Sequence, residues 1–600
     1  VNAVVALAVL VPMGAACVLA ATSPIGRRGP AAALAIAAVA TSAVLLAIVL
    51  HRVHAGRLVI WWGAWTPGHG RVIGVDFAID GLGAGLALFV AVLGVPALIM
   101  AAYAIRASAQ LFFAACLIFI TAMIGFSLTG DLFNLFVFFE LMSVSAYVLV
   151  GYEIHGRAPL EGALTFAVTN SVGSILMLFG IGMVYGRTGA LNMVQIAHAL
   201  GAAGPSPAVL VSFALIATGL LVKAAVVPFH FWTADAYGVA PTPVLILLAG
   251  VFSEMGLYGL ARVYWAVFEP ALGGHQGTIL AILVVLGLLT AVLGAAMALA
   301  QHHVKRLLAF VVVSQIGLFL VGIGLLRADG LAGTAIFVVG DGLAKAALFI
   351  CVGVVQRRSG ASGERALHGA GRALWPLGLL YGVAALVVAD LPPFGSFAGR
   401  SLVEDAALHE PGWRWVPAVM ALVSALAGGA LLRVGLRMFA GVGERAVRDA
   451  RFSSEGSAQD ETDEQPVRSR GPGILAGALL VAALVWGLLP GLAESVTGAA
   501  ARFTDTAGYA AAVLGGAAPG PSAVPAVHGP GATAYLYALA SLAGAAAVAA
   551  LGAWNRTPPA WAMRGVNAVR DLHSGRAGDY VAWTGAGALA LAGLLALTVR

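Results

Sequence analysis

Only three lysines occur in 600 residues, against 30 arginines, and two of them lie inside apolar runs: Lys223 in LLVKAAVVPFHFW and Lys345 in FVVGDGLAKAALFI. Glu140 (LFVFFELMSV), Glu254 (AGVFSEMGLYG), Asp341 four residues before Lys345, and Asp390 just before Leu391-Pro392-Pro393 sit in similar surroundings. An ionisable group at mid-membrane costs about 2.5–3.5 kcal/mol on translocon scales, so these groups must face partners or water, not lipid. Arginine keeps its proton at physiological pH, whereas a desolvated lysine can release one. Arg for fixed charge and Lys at depth, with carboxylates spread over several helices, is the residue set of a proton path. For any single group, the alternative is a paired charge that ties two helices together. The third lysine, Lys305 in QHHVKRLLAF, reads as a topology-setting charge at a helix start.

The elements that must position these residues are membrane spans. The chain is 60% hydrophobic and 10% charged, with a mean hydropathy of +0.95. A soluble chain carries about 25% charged residues, so a soluble multidomain enzyme is excluded. The net charge of +6 comes from basic residues placed singly or in pairs between apolar runs, which is not a nucleic-acid footprint. Cys17, Cys116 and Cys351 each lie in an apolar segment without a CxxC pair, so no disulfide framework, zinc site or iron–sulfur cluster is expected.

Runs of about 20 apolar residues predict an all-α polytopic protein of about sixteen spans. They lie near 1–21, 30–50, 77–101, 109–129, 131–152, 159–185, 207–229, 240–268, 277–300, 304–326, 331–355, 373–395, 413–440, 471–493, 531–553 and 580–600. The opening run lacks a basic flank and is read as a first span, not a leader. Glu444–Arg470 is read as a polar loop and Pro519–Pro530 as a linker, and Met563–Leu572 has the spacing of a short interfacial helix. The expected units are therefore residues 1–75, a core over 76–440, the loop 441–470 and C-terminal spans over 471–600. Odd-numbered loops hold 19 Lys and Arg and even-numbered loops hold 8. The positive-inside rule places the odd loops in the cytoplasm and both termini outside.

Two spans carry proline where a helix should continue. Pro228 follows Lys223 and precedes His230, Trp232, Asp235, Pro241 and Pro243; Pro392 and Pro393 precede Gly395, Gly399 and Arg400. Proline frees backbone carbonyls, which membrane depth tolerates only beside protein or a water cavity. Broken helices in matching places of two halves point to an inverted-repeat transport site. A plain packing kink is the simpler reading of either one.

The segments DLFNLFVFFELMSVSAYVLVGYE, LLVKAAVVPFHFWTADAYGVAPTPVLILLAG, VKRLLAFVVVSQIGLFLVGIG and GLAKAALFI resemble the antiporter-like membrane subunits of respiratory complex I. Those subunits share a fold with Mrp cation/proton antiporter subunits and with membrane subunits of formate-hydrogenlyase-type hydrogenases. The resemblance covers roughly residues 75–440. It implies a fourteen-helix core with two inverted five-helix repeats, each holding one broken helix, and protons moving along a central polar axis. It also implies that Glu140 and Lys223 form the coupling pair, that Lys345 is the eleventh-helix lysine, and that His230, Trp232, Asp235 and Pro241 form the loop after the broken seventh helix. Five positions depart from the family pattern: Glu254 replaces an eighth-helix Lys or His, Phe337 and Asp341 replace histidines, Arg400 replaces a twelfth-helix Lys or Glu, and His303 replaces an Asp. Only about 26 residues separate the last two spans, too few for the long lateral helix of the largest complex I subunit of this type. That favours a hydrogenase-type or Mrp-D-like relative.

The expected function is proton translocation, with cation/proton antiport as a variant. It is placed in a membrane subunit of a respiratory, hydrogenase-like or Mrp-like complex in a bacterial-type plasma membrane. Lys223 would be the switchable carrier, Glu140 its modulator, and Glu254, Asp341 and Lys345 the relay. The partners would be other membrane subunits, protons, Na+ if antiport occurs, and lipid. Two alternatives remain: a non-conducting scaffold, in which Lys223–Glu254 is a permanent salt bridge, or an independent inverted-repeat transporter. His230 with Asp235 also admits a reading as a metal or general-base pair, set aside because Trp232 and Pro241 keep family register. No nucleotide, haem or phosphate-loop motif is seen, so no cofactor, metal or catalytic site is expected and redox chemistry falls to partners.

Overall fold

A computed structural model describes residues 2–24, 27–54, 56–65, 74–105, 108–153, 156–443, 470–515, 529–553 and 573–596. Most of the polar loop, most of the Pro519–Pro530 linker and the interfacial segment up to Leu572 lie outside the described residues. The chain is a multi-pass membrane protein. Among the described residues, fourteen continuous helical stretches are long and apolar enough to cross a membrane, and one of them, Thr242–Ala300, runs 59 residues.

The first spans are α1 (Asn2–Ala21) and α2 (Arg28–Val53). An antiparallel hairpin, β1 (Leu58–Trp61) and β2 (Asp76–Ile79), follows. Next come α3 (Gly81–Ala104), α4 (Ala109–Leu128), α5 (Leu132–Val150), α6 (Arg157–Thr188) and a short α7 (Met193–Ala203). The first broken span is α8 (Pro207–Ala224) with α9 (Phe231–Val239). The 59-residue stretch contains α10 (Thr242–Leu247), a π turn (Leu248–Phe252), α11 (Ser253–Val263), a second π turn (Tyr264–Phe268), α12 (Glu269–Leu272) and α13 (Gln276–Ala300). Then follow α14 (Val304–Gly324), α15 (Ala328–Ser359), the second broken span α16 (Trp375–Val388) with α17 (Gly395–His409), and α18 (Val416–Gly435). The chain closes with α19 (Arg470–Leu488), two short helices α20 (Leu492–Thr504) and α21 (Thr506–Leu514), α22 (Ala532–Ala553) and α23 (Ala577–Ala596).

Both proline-bearing spans are broken, as expected, and each break is closed by a side chain. The Trp232 indole donates to the Val222 carbonyl at 3.0 Å, and Thr290 Oγ1 accepts from the Val227 amide at 3.1 Å. At the second break the Ser396 hydroxyl donates to the Val387 carbonyl at 3.3 Å. These groups supply the partners that the interrupted helices lose. Each break also holds a non-glycine residue at positive φ, Ala225 at 60° and Asp390 at 80°, a conformation that persists only where its surroundings impose it.

Alternate loops gather on opposite faces. On the even-loop face, Arg57 donates to the carbonyls of Arg502 and Asp505, Thr506 bonds Glu269, and Asn192 bonds Asp76. On the odd-loop face, Glu364 takes ion pairs from Arg433 and Arg437, and Arg437 donates to the Gly552 carbonyl. The segment after residue 493, read from sequence as loop and linker, begins as α20 and α21. The apolar run that ends at 395 is followed directly by a further helix, α17. Arg262, counted from sequence among loop charges, is buried in α11 and paired with Asp80 at 2.6 Å.

Candidate functional site

Lys223 occupies the last turn of α8 and is fully buried. A cation there is favoured by the free carbonyl end of the half-helix. Its ammonium bonds the Ser143 hydroxyl of α5 and lies 4.2 Å and 4.9 Å from the Phe139 and Phe252 ring centroids. Glu140 sits on α5 within one turn of Ser143, half-buried, and its Oε1 has no hydrogen-bond partner. Glu140 and Lys223 thus share one neighbourhood without forming an ion pair.

Glu254 follows the π turn at Leu248–Phe252, a distortion frequent at functional sites. Gly256, two residues on, lets α11 ride against α8: a Cβ there would stand 2.4 Å from the Leu220 carbonyl oxygen. The Glu254 carboxylate turns away from Lys223 and pairs with Lys345 at 2.8 Å. Lys345 also holds Asp341 at 2.8 Å, and all three side chains are at most 2% exposed. The Lys223–Glu254 salt bridge of the scaffold alternative is not formed; Glu254 pairs with the cation that α15 brings. Asp341 and Lys345 do lie on one face of α15, as their spacing of four requires.

A second buried cluster surrounds Arg400. Its Nε bonds Glu404 at 2.9 Å, its Nη1 bonds the Ser424 hydroxyl of α18 at 2.5 Å, and the same nitrogen lies 3.4 Å from Asp390. Glu404 escapes a reading of the sequence, since the apolar run preceding it ends at 395. Helix α17 reaches this position by backbone contact with α15: a Cβ on Gly399 would stand 2.1 Å from the Phe337 amide nitrogen.

The loop residues of the first break have structural partners. Trp232 stacks on Phe166 with centroids 4.4 Å apart, and Pro241 precedes α10. Asp235 accepts from the Tyr580 hydroxyl of α23 at 3.3 Å and lies 3.7 Å from Arg306. His230 is buried against the rings of Phe231 and His573, with neither ring nitrogen hydrogen-bonded. The structure does not bring His230 and Asp235 into a bonded pair. Lys305 is buried and donates to the Ala240 carbonyl, so it is more than a solvated topology signal. His303 caps α14 through Nδ1, which accepts from the Arg306 amide. Pro228, Pro392 and Pro393 lie within the two breaks, and Phe337 packs edge-on against Phe319. Among the described residues, no group of three or more His, Cys, Asp and Glu side chains is placed to hold a metal ion.

Outside the spans, the even-loop face carries two further buried carboxylates. Burial, then the neighbouring Asp131 carboxylate, pushes Asp76 up to about 7. Burial pushes Asp131, the residue capping α5, up to about 6. A cavity of about 310 Å³ is lined by Glu254 together with His54 and Arg502, so it links the central axis with residues of this face.

Residues 129–427 match the family described as NADH:quinone oxidoreductase/Mrp antiporter, transmembrane. The chain is 32% identical over 415 residues to NADH-quinone oxidoreductase subunit N of Desulforudis audaxviator, covering 68% of this chain and 80% of that protein. It is 30% identical over 321 residues to the putative antiporter subunit mnhD2 of Staphylococcus aureus (strain MRSA252), covering 53% of this chain and 63% of the relative, just under two thirds of its length. Among solved structures, a chain of the Mrp complex from Dietzia sp. DQ12-45-1b superposes with a TM-score of 0.73 at 27% identity, covering 86% of this chain and all of that one. With two broken helices and buried ionisable groups beside each, the chain belongs to the NADH:quinone oxidoreductase/Mrp antiporter family of membrane subunits.

Proposed function

We propose that this chain is a proton-translocating membrane subunit of a multisubunit complex, with exchange of a cation such as Na+ as a variant of that activity. The observation that carries the reading is the row of buried ionisable groups beside both helix breaks. Lys223 is held by a hydroxyl and two rings, not by a bonded carboxylate. In this reading Lys223 is the switchable carrier, Glu140 its electrostatic modulator, and Glu254, Asp341 and Lys345 the relay. Glu254 also borders the cavity on the even-loop face. The odd-loop face lies in the cytoplasm of a bacterial-type plasma membrane, with both termini outside, and the core over 76–440 does the transport. Lys223→Ala or Glu140→Ala should abolish proton flux in proteoliposomes holding the whole complex, while the amount of assembled complex is kept. Parental flux in both variants refutes the proposal.

A non-conducting scaffold is the second reading, favoured by Arg400, a permanently charged group at a position where the family has Lys or Glu. It predicts parental coupling and flux when Lys345 and Glu254 are neutralised together.

A further inference from the structure

Asp390, Arg400 and Glu404 form a closed electrostatic unit. The Arg400, Asp390 and Glu404 side chains are 1%, 2% and 3% exposed. Asp390 and Glu404 act on each other and on Arg400, and among the described residues no other charged group acts strongly on either. Helix α18 contributes the Ser424 hydroxyl, a neutral partner. With both carboxylates ionised, the unit would hold one positive and two negative charges. A net charge buried this deeply and left uncompensated is costly enough that the group binds a proton instead. One carboxyl is therefore protonated while its partner pairs with the guanidinium.

The geometry provides for a mobile proton. Arg400 touches Glu404 through Nε and Asp390 through Nη1, so either acid can be the ionised member. Asp390 Oδ1 and Arg400 Nη2 are buried without hydrogen-bond partners, which leaves a free acceptor and a free donor within the cluster. Asp390 sits in the break itself, at positive φ, while Glu404 lies further along α17. The two acids thus contact different nitrogens of one fixed cation.

We propose that the Asp390–Glu404 carboxyl pair is a proton-binding station of the transport path, with Arg400 as its fixed counter-ion and not as the carrier. This rests on the proton-translocation reading above. In the transfer, the O–H bond on one carboxyl breaks as an O–H bond forms on the other. The guanidinium then pairs with the newly ionised carboxylate and keeps its own protons. Arg400 removes the proton-binding side chain from its own position, and Glu404 supplies one a single helical turn away.

The test uses the assembled complex in proteoliposomes. Glu404→Gln and Asp390→Asn each leave one cation with one carboxylate and no proton to exchange. Each should lower proton flux by about 10²-fold or more, the scale of losing an essential acid–base group, with assembly unchanged. Infrared difference spectra should show an H/D-sensitive protonated-carboxyl C=O band in the parent and Arg400→Lys that is lost in Glu404→Gln and Asp390→Asn. Parental flux in the two neutral variants, or a band unchanged by them, overturns the proposal. If Lys223→Ala stops flux while Glu404→Gln does not, this station is wrong and the general reading stands. If Lys223→Ala and Glu140→Ala both leave flux intact, the general reading fails, and the infrared band still decides whether the pair holds a proton. Glu404→Asp, which retains a carboxyl, should assemble and restore the band; an assembled Glu404→Asp complex without it also overturns the proposal.

Discussion

The pairing of Glu254 with Lys345, not Lys223, yields a sharp energetic prediction. Replacing Lys345 by Met leaves Glu254 and Asp341, each at most 2% exposed, with no bonded cation. Removing one partner from a buried ion pair costs about 3–5 kcal/mol. Glu254→Gln removes only one of the two acids on Lys345 and leaves a balanced Lys345–Asp341 pair. Its cost should be nearer that of one hydrogen bond to a charged group, about 1.5–3 kcal/mol. Because the two residues touch, the cycle of Lys345→Met with Glu254→Gln should show a coupling of about 1–3 kcal/mol, within the range for residues in one network. The parallel cycle of Lys223→Met with Glu254→Gln should be additive to within about 0.5 kcal/mol, because those residues share no bonded partner. Unfolding free energies from SDS titration of the purified complex at fixed pH give both couplings. A larger coupling for Lys223–Glu254 than for Lys345–Glu254 would refute the assignment and restore the salt bridge considered from sequence.

Two other predictions concern positions away from the relay. Asp76 and Asp131 are raised above the ordinary carboxyl value of about 3.9, so the folded state binds protons more tightly than the unfolded one. Their stabilising contribution is fully present below about pH 4 and is lost as pH rises through about 6 to 7. Protease resistance of the even-loop face should therefore fall between about pH 5 and about pH 8, and fall less in Asp76→Asn; an equal fall in both would refute it. At the α15–α17 contact, a Gly399→Ala methyl would meet the Phe337 nitrogen at 2.1 Å and the Gly333 carbonyl oxygen at 2.5 Å. Overpacking of about 1–3 kcal/mol should reduce the yield of assembled complex, whereas Gly382→Ala, with nothing within 4 Å, should leave it unchanged.

Most of the fold is legible in the sequence because a bilayer demands about 20 apolar residues per crossing, and little else satisfies that demand. What escapes is whatever the protein itself shields from lipid. Helix α17, GSFAGRSLVEDAALH, is too polar to read as a span, yet its charged face is enclosed by its own ion pairs and by Ser424. Arg262 looks like a loop charge because its partner, Asp80, lies 182 residues earlier, at the cap of α3. Glu364 gives no signal because the groups that bury it, Arg433 and Arg437, arrive from a later helix end. The ionisable residues inside apolar runs are legible one by one. Their pairing is not, since it depends on which helices approach: Gly256 sets α11 on α8, while the Glu254 side chain reaches across to α15.

This difference in pairing separates two lysines that look equivalent in sequence. Lys345 is clamped between two carboxylates at 2.8 Å each, and its release of a proton would leave two buried acids facing a neutral amine. In electrostatic terms it resembles Arg400, which also bridges two carboxylates. Lys223 has a hydroxyl and two aromatic faces, with Glu140 nearby but unbonded. Its charge is supported by weak, distributed contacts, so a small movement of α5 against α8 changes that support strongly. Scarcity of lysine therefore marks two different uses. On the proposed reading, Lys223 is the lysine that changes its proton, while Lys345 takes part in the relay as a cation held between Glu254 and Asp341.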